Sequence, residues 1–222
     1  MRLPFIFASL LTLAFAAAPA PARQAPATLA VPPSGVLGVG EAQLTPAFWI
    51  GLQAQPDRVI LDPAAIAAQN AKLLQLDPSM HDLRALPPTL DRDRVLGWIK
   101  PLSTLPTHPL YDVHGKPVSA ATLQAVADNA ALGAIPAQQK TRYGLGVRRA
   151  ALRGFPTTLR VFSDDDETDI DRFQETAEFP GTPVVIAHTS ADGQWLFVVS
   201  PRYAAWTEKE NVAEGSAAQV FG

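Results

Sequence analysis

Two near-continuous apolar runs, Pro183 to Ser190 and Gln194 to Ser200, flank the dipeptide Asp192-Gly193. Asp-Gly tolerates the positive φ that a tight hairpin turn demands, so the runs read as paired strands. Strands that are apolar on both sides need both faces covered, which points to a small closed barrel. From Tyr143 onward the chain keeps this character, with short runs rich in Val, Phe, Trp and Thr. A strand is predicted from Tyr203 to Thr207, a single helical turn at Glu208 to Asn211 and a short last strand at Val212-Ala213. The acidic insertion between Phe162 and Phe179 reads as too polar to be a core element.

Upstream, Glu41 to about Gln139 follows a different period. Three short amphipathic helix patterns alternate with proline-rich turns. Asp62 is the predicted N-cap of the first, with Pro63 at its first position and Ile66, Leu73 and Leu74 on one face. Asp91 is predicted to cap the second, where Val95, Trp98, Ile99 and Leu102 keep helical spacing until Pro101 ends it. Ser119 caps the third, with Leu123, Val126, Ala127 and Ala130 on one side and Gly133 as its stop signal. Arg23 to about Gly40 is Ala, Pro and small residues, which favour extended backbone and suit a tether. The N-terminus has Arg2, an apolar stretch from Leu3 to Ala18 and the small residues Ala20-Pro21-Ala22, the pattern of a secretory signal peptide cleaved after Ala22. The stretch is shorter than the roughly 20 apolar residues of a membrane span.

The 222 residues include no cysteine, which excludes thiol catalysis, disulfides, cysteine-linked lipid anchors and cysteine-ligated metal. A formal charge of -3 gives no electrostatic reason to expect nucleic acid or an anionic membrane as partner.

The stretches RYGLGVRRAALRGFPT (Arg142 to Thr157), Asp169 to Val199, and SPRYAAW (Ser200 to Trp206) resemble the first bacterial SH3-like domain of secreted NlpC-type cell-wall cysteine endopeptidases. AFWIGL (Ala47 to Leu52), the run from Ile66 to Asn70 and LYDVHG (Leu110 to Gly115) are similar to the helical clip that precedes that domain. The resemblance implies an α+β chain in which a small helical clip domain packs on an SH3-like β-barrel. The expected divisions are a signal peptide at 1–22, a tether at 23–40, the clip at 41–139, the barrel at 140–214 and a linker stub at 215–222. Each module alone is marginal, so docking the clip's helix faces on the barrel supplies the missing core. Family members continue into a second SH3-like domain and a papain-like domain, whose Cys and His cut peptidoglycan stems between γ-D-glutamate and a diamino acid. This chain reaches Gly222 about where that second barrel begins. The expectation is therefore an exported, periplasmic or wall-associated module, itself no enzyme and with no cofactor or metal, that binds or positions peptidoglycan stem peptides. The alternatives are a docking protein for a separate NlpC-type catalytic domain, or a fragment of a complete endopeptidase. No nucleic-acid partner and no membrane span after signal cleavage are expected.

The binding chemistry is expected on the barrel. Aromatic faces pack against sugar rings and alkyl stems, and arginine forks engage carboxylates. Tyr203 and Trp206, around a tight Ala-Ala step, and Arg202, Arg153 and Gln174 on loops or strand ends are the candidates. The competing assignment puts Trp206 in the core and Tyr203 at the barrel end, and Trp195 is read as core. In some relatives a tyrosine at the Tyr203 position walls the peptide-stem site. Arg172, Gln174 and Glu175 of DRFQET belong, by the resemblance, to a loop that faces ligands. His188, Ser190 and Asp192 share one strand end without converging on a substrate atom, and Asp192 is better explained by the turn. The run Asp164, Asp165, Asp166, Glu167, Asp169 and Asp171 lacks the glycine of a calcium loop and reads as solvated. His108, Asp112 and His114 match no zinc spacing.

Overall fold

The computed structural model describes residues 39–222. The expected signal peptide, and the tether up to residue 38, lie outside the described residues. The described residues fall into two units, divided between Ile60 and Leu61. In the first, a 3-10 turn at Glu41–Leu44 leads into α1 (Pro46–Gly51), and the indole Nε1 of Trp49 donates to the Gln43 carbonyl at 2.7 Å.

The second unit begins with three capped helices. Asp62 accepts the Ala65 N–H at 2.8 Å and starts α2 (Pro63–Leu76). Asp91 accepts the Arg94 N–H at 2.8 Å and starts α3 (Arg92–Leu102), and Ser119 accepts the Thr122 N–H at 3.1 Å and starts α4 (Ala120–Asn129). In each case a side-chain oxygen satisfies a backbone donor that has no partner within the helix. α3 runs one residue past Pro101 instead of ending there. α4 stops at Ala131, which sits in the left-handed region at φ 50°, so Gly133 is not the stop. Two short strands, β1 (Thr89–Asp91) and β2 (Gln138–Lys140), pair antiparallel beside α3.

Seven strands form the main sheet: β3 (Arg142–Gly146), β4 (Ala150–Arg153), β5 (Gln174–Glu178), β6 (Pro183–Thr189), β7 (Trp195–Val199), β8 (Ala204–Glu208) and β9 (Val212–Gly215). Every pairing is antiparallel and the order is β5-β4-β8-β7-β6-β3-β9. The predicted hairpin is β6 and β7, turning through Gly193 at φ +70°. The expected closure is absent among the described residues, because end strands β5 and β9 each pair with one neighbour.

Both faces are nevertheless covered, and strand periodicity shows how. Val185, Ala187, Trp195, Phe197, Val199 and Trp206 join Leu83, Leu90, Val95, Ile99 and Ile135 of the helical segment in one buried cluster. Their alternates, Val184, Ile186, Leu196, Val198 and Ala205, form a second cluster with Leu152. Leu102, Tyr203 and Val212 cover that cluster, doing with side chains what a closing strand pair does in a barrel. A third cluster, Leu110, Phe155, Val161 and Phe173, lies under Leu123, Val126 and Ala127 of α4. α3 and α4 thus supply core as expected. α2 does not: Ile66, Leu73 and Leu74 are exposed.

Two further expectations need correction. The acidic insertion is partly structural, since it contains buried Phe173 and leads into β5, an edge strand that needs no apolar face. Residues 215–222 are not a loose stub: Gly215 ends β9, and Ser216 caps α5 (Ala217–Phe221), whose Phe221 meets the Tyr143 ring edge-on at 5.6 Å. Among the described residues no helix is long and apolar enough to cross a membrane.

Candidate functional site

Tyr203 precedes β8 and lies on the face of Ala205, where its ring covers the second cluster. Its hydroxyl reaches across the sheet end and donates to Glu175 Oε2 at 2.6 Å. Burial, and then the hydrogen bond to the Glu175 carboxylate, pushes the Tyr203 pKa up to about 12. Tyrosine therefore stays a neutral donor throughout the physiological range. Glu175, on exposed β5, lines a cavity of about 380 Å³ together with Leu102, His108, Phe155, Arg172 and Phe173. The floor is aromatic and aliphatic, the walls carry one guanidinium and one carboxylate, and among the described residues Arg172 forms no ion pair. Sites that hold small ligands typically combine such an apolar body with a few convergent polar groups.

Other sequence candidates fall elsewhere. Trp206 is fully buried at 0% exposure, with Nε1 donating to Ser103 Oγ at 3.0 Å and its ring edge-on to Phe197 at 5.4 Å. It is a core residue. Ser103 Oγ in turn donates a hydrogen bond to the Gly154 carbonyl at 2.7 Å, which fixes the end of α3 to the sheet. Arg153 is 7% exposed; both its terminal nitrogens are already engaged, while its buried Nε has no partner among the described residues. Nη1 donates to Asp171 Oδ2 at 2.9 Å and Nη2 to the Leu159 carbonyl at 2.6 Å. Asp171 Oδ1 accepts the N–H of Phe173 at 3.0 Å and of Val161 at 3.3 Å. Gln174 donates to the Leu152 carbonyl at 3.2 Å, beside the register shift at Leu152/Arg153. Arg153 and Gln174 are thus positioning residues: they pin the acidic loop so that Arg172 and Glu175 reach the cavity. Arg202 faces a different cavity, with Arg84 and Phe221.

The His188–Ser190–Asp192 group and Asp112 have structural roles. His188 Nε2 lies 3.1 Å and 3.2 Å from the carbonyls of Ala130 and Ala131, and burial lowers its pKa. The ring secures the left-handed end of α4. Asp192 accepts from Ser190 Oγ and from the Gln194 N–H. Burial opposes its ionisation, but these bonds and one from Asn129 hold its carboxyl below the ordinary value. Asp112 Oδ1 accepts the N–H groups of His114 and Lys116, making a turn. His108, which with Asp112 and His114 matches no zinc spacing, lines the Glu175 cavity. Phe155 and Phe173 were missed as cavity floor, and the phenylalanine of RGFPT, beside Arg153 and Gly154, was the available signal.

A family model for an SH3 domain of the SH3b1 type matches residues 160–208. No curated protein matches the chain. Among solved structures the chain is similar to a novel NlpC/P60 endopeptidase from Photobacterium damselae subsp. piscicida, with 18% identity and a TM-score of 0.54. The match covers 74% of this chain and 39% of that one, so the chain spans well under half the length of its structural neighbour. At this identity the likeness is one of fold. Residues 160–208 are an SH3-type segment within a larger antiparallel sheet, and the chain shares the fold of part of an NlpC/P60 endopeptidase.

Proposed function

We propose that the chain is an exported, non-catalytic module that binds and positions peptidoglycan stem peptides, as the front part of an NlpC-type γ-D-glutamyl-diamino acid endopeptidase. The observation that carries this reading is the Tyr203–Glu175 pair at 2.6 Å, with Glu175 in the same cavity as Arg172. A carboxylate oriented by a neutral phenol accepts an ammonium group, and an unpaired guanidinium accepts a carboxylate in a bidentate fork. Stem peptides carry both kinds of group on short aliphatic bodies, which Leu102, Phe155 and Phe173 suit. The SH3b1-type match and the NlpC/P60 neighbour support the assignment to the cell wall. Without cysteine the chain has no thiol nucleophile, so cleavage is assigned to a separate catalytic domain.

The test is titration calorimetry of the chain with a stem tripeptide, alongside co-sedimentation with purified sacculi. Glu175→Gln and Arg172→Gln each weaken tripeptide binding about tenfold, the scale of a lost charge-assisted hydrogen bond. Tyr203→Phe loosens Glu175 and costs about three- to tenfold. Unchanged affinity in all three variants, or retention of a cysteine peptidase with no binding to sacculi or tripeptide, overturns the reading.

A further inference from the structure

Arg202 and Tyr203 are neighbours in sequence, but Arg202 does not serve the Glu175 cavity. It lines a separate cavity of about 580 Å³ formed by α2, the segment from Met80 to Arg84, the start of β6, Pro201 and α5. Leu74, Met80, Leu83 and Val220 make its apolar lining. A second guanidinium stands in the same wall: Arg84 lies 4.8 Å over the Phe221 ring and donates from Nη2 to the Phe221 carbonyl at 2.8 Å. Phe221 is itself held by Tyr143, so Arg84 is oriented before any ligand arrives. That is the condition under which an arginine fork loses least entropy on binding.

The nearby carboxylates, Asp82 and Glu178, pair directly with neither cation. Asp82, the carboxylate in this lining, accepts the backbone N–H of Arg84 at 3.1 Å. Glu178 lies in the adjoining cavity, which shares Pro183, Pro201 and Arg202 with the first. Its oxygens accept from Ser200 Oγ at 2.6 Å and Thr182 Oγ1 at 3.3 Å. Among the described residues neither Arg84 nor Arg202 forms an ion pair. His81, also in the lining, meets Trp98 edge-on at 6.0 Å, and its backbone N–H donates to the Pro201 carbonyl at 3.0 Å. Two guanidinium groups over an aliphatic lining select against cations and against wholly apolar ligands. They favour a free carboxylate on a short aliphatic body.

We propose that the groove between α2, α5 and the Pro201–Arg202 turn is a second binding site, in which Arg84 and Arg202 grip a free carboxylate while Leu74, Met80 and Val220 cover the aliphatic body that bears it. The site shares no lining residue with the Tyr203–Glu175 cavity, so it stands or falls independently of stem binding there.

The experiment is an amide-resolved NMR titration of the whole chain with N-acetyl-leucine, N-acetyl-leucinamide and hexanoate. N-acetyl-leucine is expected to shift residues 80–84, 201–202 and 220–222 and to bind about tenfold more tightly than its neutral amide. Hexanoate binding as tightly as N-acetyl-leucine assigns the site to acyl carboxylates, and weaker hexanoate binding to amino-acid carboxylates. Arg202→Gln, at an exposed residue, and Arg84→Gln each remove most of the carboxylate preference, whereas Glu175→Gln leaves it unchanged. Equal affinity for N-acetyl-leucine and its amide, shifts confined to residues 172–175, or full retention of the preference in both arginine variants overturns the proposal.

Discussion

The Arg153–Asp171 pair gives the sharpest test of how the acidic loop is held. Both side chains are buried, at 8% and 9% exposure, and they meet at 2.9 Å. Asp171→Ala removes the countercharge from a buried guanidinium and deprives the Val161 and Phe173 N–H groups of their acceptor. Breaking a buried pair from one side costs about 3–5 kcal/mol, a large share of a domain stability of about 5–15 kcal/mol. Arg153→Met is milder, at about 2–3 kcal/mol, because Asp171 keeps the two backbone donors of Val161 and Phe173. The double variant Arg153→Met/Asp171→Ala removes both charges and costs less than the two single changes added together, leaving a coupling of about 1–3 kcal/mol. Urea unfolding of the four proteins, read at constant m-value, measures this cycle. A cost below about 1 kcal/mol for Asp171→Ala, the range of exposed ion pairs, would refute the assignment of the pair as the loop's anchor.

Three smaller predictions concern single residues. Ala131→Gly relieves a left-handed alanine and stabilises the chain by about 1 kcal/mol, raising the Tm by about 2–4 °C; a lower Tm contradicts the strain. Tyr203 ionises near its raised pKa of about 12, and Glu175→Gln brings that titration down towards the ordinary value near 10, as followed by tyrosinate absorbance. Because the folded pKa is the higher one, the stabilisation from neutral Tyr203 is complete below about pH 10 and is lost as pH rises towards 12. His188 has the opposite sign: its folded pKa is depressed by burial, so its contribution is complete above 6.5 and falls as the unfolded state takes up the proton below that pH. His188→Gln flattens this part of the acid limb, and an unaltered pH profile of stability in that variant excludes His188 as its source.

What the sequence discloses and what it withholds follow from the range of the interactions. Asp62, Asp91 and Ser119 are legible as caps because each oxygen serves an N–H three residues away. The β6–β7 hairpin is legible because Asp192 and Gly193 determine its turn locally. The end of α4 is not, since the carbonyls of Ala130 and Ala131 are secured by His188, more than fifty residues on. Nor does helical periodicity distinguish α3, with Val95 and Ile99 fully buried, from α2, whose Ile66 and Leu73 face solvent. Both helices have an apolar stripe, and tertiary packing decides which stripe is used. β5 is hidden for a related reason: an edge strand paired on one side can be polar throughout.

The division of the predicted binding residues, by contrast, obeys a rule that was already readable. Successive side chains in extended backbone point to opposite faces, so residues an odd number apart cannot share one. Tyr203 and Trp206 are three apart. Tyr203 therefore goes with Ala205 to the second cluster and on to Glu175, while Trp206 goes to the first cluster with Phe197. Arg202 lies in the bend before β8, and it lines a cavity with Leu83 of that same first cluster. A segment that looks like one aromatic and arginine patch in PRYAAW thus serves both sides of the sheet. Its tyrosine orients the Glu175 carboxylate at one cavity, and its arginine stands with Arg84 in the lining of the other. Moving the arginine by two residues, as in an Arg202→Ala/Ala204→Arg variant, puts it on the Trp206 face of β8 and should retain part of the carboxylate preference. An arginine at position 205 has the wrong parity: it must enter the second cluster, where Ala205 is 0% exposed, and would cost stability without restoring binding.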